Sequence, residues 1–159
     1  MRMEIHHQTL EEASTQVDEE ARMLLPGVQA FMGFQLMSVF NQRFDQFSPG
    51  EQMLHFASFL LLALTMALLM APAAYHRQAE RCMVTERFVK MSSTLLTIAM
   101  VPFISGISLD AYLLGKLILK DTMAAVLTAA GMVAVFVGLW FIVTANNRRI
   151  GSTSHAGAA

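Results

Sequence analysis

The chain has 159 residues, enough for one domain, and 55% are apolar while only 14% are charged, against about 25% charged in ordinary soluble domains. A net charge of −1 without a basic patch leaves no footprint for nucleic acid, and the single cysteine, Cys82, excludes an intramolecular disulfide. No Asp, Glu, Lys or Arg occurs in 23–42, 52–76, 91–109 or 122–147; each window suits a membrane-crossing helix of about 20 residues, and together they leave little from which to build a soluble domain.

Residues 4–20 carry six acids, and Leu10, Ala13, Val17, Ala21 and Leu24 recur at steps of three and four. That is the pattern of an amphipathic helix. Thr9 followed by Glu12 fits a capping box, in which each side chain accepts from the other residue's backbone amide. A helix over about 10–24 is expected to lie on the membrane surface, within an acidic segment 1–24. Pro26-Gly27 then bends the chain or starts the first span, because proline lacks a donor and restricts its predecessor.

The first span covers about 25–43 and ends near Arg43. In the following "NQRFDQFSPGEQ", Ser48, Pro49 and Glu51 form a second helix start. The second span runs from about 50 to 75, and its "APAAYHR" end places Tyr75 and His76 at headgroup level. Residues 76–90 read as a short polar connection. The third span covers about 90–113, with Pro102 inside it. "DAYLLGKLILKD", 110–121, is too apolar for a wet loop and is expected to skim the interface before a fourth span at about 121–145. The tail 146–159 is small and polar and reads as disordered.

Four spans place both termini on one side. That side carries Arg2, Arg22, Arg77, Arg81, Arg87, Lys90, Arg148 and Arg149, against Arg43, Lys116 and Lys120 on the other. Excess Lys and Arg marks the cytoplasmic side, so both termini are expected there. The fold class is therefore all-α: an integral membrane four-helix bundle with an N-terminal amphipathic surface helix.

Polar side chains within the spans are the candidate functional residues. Gln35 lies about midway between Arg22 and Arg43, hence near the bilayer centre, where an unpaired amide costs several kcal/mol. It shares roughly 140° of arc with Gly27, Ala30, Ser38, Asn41 and Gln42, whereas Gln29 and Gly33 project elsewhere. Gln35 is expected to bond across an interface, to another subunit or to hydroxyls of the third span. Thr97, Ser105 and Ser108 share about 120° of arc with Ser93 and Thr94. Their structural reading is bonding to their own helix carbonyls, and their functional reading is a polar seam. Ala63, Ala67 and Ala71 in the second span and Ala130, Ala134 and Gly138 in the fourth repeat at four-residue spacing, which lets helices approach closely.

No cofactor is expected. Haem would need two histidines at one depth, yet His55 and His76 are about 30 Å apart along the second span. No enzyme activity is expected either: Ser108 has no histidine at mid-depth in another span, and no phosphate-binding glycine loop is present.

"EEARMLLPGVQAFMGFQL", "NQRF", "APAAYHR" and "ERFVK" resemble a family of small bacterial four-span inner-membrane proteins of unknown function. Arg22, Leu25, Pro26, Gly27, Gln29, Phe34, Arg43, Phe44, Pro72, His76 and Arg77 carry the resemblance, which covers about residues 19–145. It implies a bacterial inner membrane and draws attention to Arg22, Gln29, His76 and Arg77, with coupling at the cytoplasmic face as the candidate role of Arg22, His76 and Arg77. The leading functional expectation is a small homo-oligomeric channel or pore whose Gln35 face is wet. The alternative is a non-transporting scaffold or accessory subunit of another membrane protein, in which that face lies in dry helix contacts. The expected partners are the bilayer, further copies of the chain and another membrane protein.

Overall fold

The structure is a computed structural model that describes residues 9–79 and 85–142. Four helices follow one another: α1 (Leu10–Val39), α2 (Pro49–Ala79), α3 (Glu86–Leu119) and α4 (Thr122–Val137). A 3₁₀ turn (Phe44–Gln46) precedes α2, a π-helical turn (Gly138–Ile142) follows α4, and no strand occurs among the described residues. Cys82 and the tail from 146 lie outside the described residues.

Among the described residues three helices are long and apolar enough to cross a membrane: Pro49–Arg77, Glu86–Leu119 and Thr122–Trp140. The described residues are all-α, and these three helices are compatible with a membrane protein. Backbone polar groups in hydrocarbon must be satisfied within the chain, and a helix does this along its whole length.

Both expected capping boxes are present. Thr9 N donates to Glu12 Oε2 at 2.9 Å and Glu12 N to Thr9 Oγ1 at 3.3 Å. Ser48 N donates to Glu51 Oε2 at 2.7 Å, and Glu51 N to Ser48 Oγ at 3.4 Å. Each box satisfies two amides that the first helical turn leaves orphaned.

Two boundaries differ from the sequence expectation. The amphipathic segment and the first apolar run are one continuous helix, with Pro26 inside α1. Buried Ser14, Val17, Val28 and Gln35 fall on one face of that helix, at steps of 3, 11 and 7 that keep them within about 60° of arc. This continuous seam outweighs the cost of an interior proline, about 3 kcal/mol. Likewise, 110–119 continues α3, and no interfacial segment separates it from α4. The connection is Lys120, with φ of 53°, and Asp121, whose Oδ1 accepts from Met123 N at 2.9 Å to cap α4.

The chain forms two compact units that meet within α3, between Phe103 and Ile104. The first contains α1, α2 and α3 as far as Phe103. Its buried apolar residues include Val17, Val28, Leu62, Leu69, Phe88, Leu96 and Ala99. Phe31 of α1 meets Phe103 of α3 edge to face, with centroids 6.2 Å apart. Tyr75 of α2 stacks on Phe88 of α3 at 6.1 Å. In the second unit, the end of α3 turns back into α4. A Cβ built on Gly115 would stand 3.1 Å from Ala125 Cα, so glycine is what permits this approach. The rest of α4 is open: 6% of its apolar window is buried.

Candidate functional site

The polar residues of α1 and α2 converge on one node in the first unit. Gln35, 5% exposed, donates its Nε2 hydrogen to Ser58 Oγ at 2.6 Å, and Ser58 is fully buried. Three residues on, Ser38 Oγ donates to Gln35 O at 2.7 Å. His55 of α2 brings Nε2 within 3.1 Å of Ser38 Oγ and 3.1 Å of Gln35 O. Phe44, in the connection, sets its ring edge to face with the His55 ring at 5.3 Å and with Phe47 at 5.8 Å.

This geometry favours the Nε2–H tautomer of His55. The Gln35 carbonyl oxygen can only accept, so a bare Nε2 at 3.1 Å would set two lone pairs against each other. The single Ser38 proton already points at the same oxygen over 2.7 Å. In that tautomer Nε2 donates to Gln35 O. His55 thus reaches from α2 to a carbonyl near the C-terminal end of α1. Ser38 and His55 are a serine–histidine pair that sequence reasoning did not anticipate. In the Nε2–H tautomer the direction of its hydrogen bonds is opposite to that of a nucleophile and base, because a base must accept the hydroxyl proton. What the node does is bind α1 to α2, through one buried hydrogen bond and part-buried contacts beside it.

The other candidates are placed elsewhere. Gln29, Asn41 and Gln42 are exposed. Asn41 Oδ1 accepts from Arg43 N at 3.0 Å, a local turn contact. Thr97 is exposed and returns its hydroxyl to Ser93 O at 2.9 Å; Thr94 does the same to Lys90 O at 2.8 Å. Ser105 is exposed, while Ser108 is buried and donates to Ile104 O at 2.7 Å. Arg22, His76 and Arg77 are exposed, with the His76 ring 5.2 Å from Phe88. Sequence reasoning passed over Ser58, and over Ser92 of α3, which is fully buried and whose Oγ has no hydrogen-bond partner among the described residues. Among the described residues no cluster of His, Cys, Asp or Glu is placed to hold a metal ion.

Comparison with known proteins gives one match: residues 4–144 fit the family described as "Family of unknown function (DUF6328)". No curated protein and no solved structure matches the chain.

Proposed function

Because the chain belongs to the DUF6328 family of unknown function, its activity must be argued from its own residues, and we propose that it is a non-transporting scaffold or accessory subunit of a membrane assembly. The observation that supports this reading is the burial of Gln35 against Ser58 of the same chain. A pore-lining amide would face water, and this one is spent holding two helices together. The exposed surface is suited to partner helices: it includes nearly all of α4, with Ala130 and Ala134 on it and open space over Gly131 and Gly138.

The proposal includes a bacterial inner membrane, both termini in the cytoplasm, and α1 as a fourth crossing through its charge-free 23–42. Single cysteines in a Cys82→Ser background test the topology. Residues 5, 80 and 152 should react from the cytoplasmic side and 46 and 118 from the other. Equal access of 80 and 118 from one side would overturn the four-span arrangement.

Exposure of Ser93, Thr94 and Thr97 on α3 favours a second reading, a homo-oligomeric channel lined by that face. Flux into liposomes separates the two. The scaffold reading expects none above protein-free liposomes. Solute flux that Thr97→Val reduces would establish the channel instead, since apolar constrictions gate by dewetting.

A further inference from the structure

The outward face of α1 differs from its buried seam in one respect that lipid does not explain. Asp18, Arg22, Pro26, Gln29, Gly33 and Leu36 are all exposed. They follow at steps of 4, 4, 3, 4 and 3, which keeps them within about 80° of arc. Alternating steps of four and three generate the seam of a left-handed helix pair. Gln29 stands at its centre, seven residues or about 10 Å beyond Arg22, within the apolar stretch. Among the described residues Gln29 makes no hydrogen bond and Arg22 no ion pair. Gly33, one turn further, has nothing within 4 Å of a built Cβ, so a second backbone can come close there.

We infer that a second copy of this chain covers this face, as a parallel two-fold pair of α1 helices with Gln29 meeting Gln29 of the second copy near the axis. The inference rests on the reading of 23–42 as a membrane crossing, which forces copies in one membrane to be parallel. Two features select a copy over an unrelated helix. An amide is self-complementary: each carries both a donor and an acceptor, so two related by a two-fold axis satisfy each other. The charges match as well. Helical side chains slope toward the N-terminus, so Arg22 leans to the level of Asp18 and Glu19 of a parallel neighbour. Each copy thus offers one cation to the other's acids. A polar residue on such a seam fixes register, and interhelical amide bonds contribute modestly to affinity.

The test uses the full chain in native membranes and in liposomes. In a Cys82→Ser background, Gly33→Cys and Leu36→Cys should oxidise to disulfide-linked dimers. Phe31→Cys, which is exposed on the far side of the seam, should not. Labelled copies in liposomes should associate about 3- to 20-fold more weakly when Gln29→Leu is introduced. Equal cross-linking at 31 and 33, adducts of other mass in place of dimers, or dimer affinity unmoved by Gln29→Leu would each overturn the inference. A membrane-impermeant maleimide separates its failure from that of the underlying topology. If Gly33→Cys reacts with the reagent, the crossing itself is wrong. If it is shielded and yet forms no dimer, the crossing stands and the pairing falls.

Discussion

Gln35 of α1 and Ser58 of α2 are joined by a 2.6 Å hydrogen bond with both side chains buried. A buried amide must find a partner, and the Nε2 of this one finds it within the chain, on α2 rather than on the third-span hydroxyls. The bond therefore belongs to the folding of the α1–α2 hairpin. Ser58→Ala should destabilise the protein by about 1–2 kcal/mol, because it leaves the buried amide donor unsatisfied. The double variant Gln35→Leu, Ser58→Ala should recover most of that loss, since both polar partners are gone. Unfolding of the detergent-solubilised protein measures both. Equal losses in the single and double variants would show that the pair is not coupled.

Much of this node was legible in one dimension and hidden in another. The sequence points to Gln35 by depth alone, as an amide midway along a charge-free run. It does not give helix rotation or pairing, so Ser58 does not stand out among its apolar neighbours and nothing in one dimension sets His55 against Ser38. One signal was available. In an antiparallel hairpin, residues at equal depth have a constant sum of residue numbers. The pairs Gln35–Ser58 and Ser38–His55 share that sum. The helix starts at Thr9 and Ser48 were readable because capping is local chemistry. Pro26 misled because its cost is local too, whereas the buried face from Ser14 to Gln35 that carries α1 through it is tertiary. For the same reason the continuation of α3 through 110–119 is not legible: the Gly115–Ala125 approach that turns α3 back on α4 has no local signature.

The hydrogen-bond directions at His55 lead to a spectroscopic prediction. Nitrogen-15 spectra of the neutral imidazole should show the Nε2–H tautomer, with Nε2 acting as donor to Gln35 O. A serine-directed fluorophosphonate should leave Ser38 unlabelled, because the Ser38 proton is held by that same carbonyl. The opposite tautomer, together with covalent labelling at Ser38, would make the pair a nucleophile and base and reopen hydrolytic chemistry. His55→Ala should cost about 1 kcal/mol of stability through the lost contacts to α1.

Lys120 provides a change expected to stabilise. Its φ of 53° lies in the left-handed region, where a Cβ crowds the following carbonyl. Glycine removes that clash at some cost in chain entropy. Lys120→Gly should therefore leave the connection intact and raise stability by a few tenths to about 1 kcal/mol. A fall in the unfolding midpoint would mean that the lysine side chain contributes more than its backbone conformation costs.

The close approach at Gly115 provides the last test, with an internal control. An added Cβ there would meet the Ala125 Cα at 3.1 Å and its Cβ at 3.5 Å. The nearest obstacle is backbone, which cannot rotate away, so one helix must move. Gly115→Ala should cost about 1–3 kcal/mol, the range for overpacking a filled interior. Gly131, on the same α4 but with nothing within 4 Å, should respond in the opposite sense. Gly131→Ala adds helix propensity worth roughly 0.5–1 kcal/mol without meeting any atom. Measuring both variants in one detergent cancels environmental effects common to them. Similar behaviour of the two would mean that α4 does not rest on α3 through Gly115. Opposite signs would establish that contact as the pivot of the hairpin. If Gly131→Ala instead destabilises the protein only in native membranes, the open face of α4 is covered there by another helix, as the scaffold reading requires.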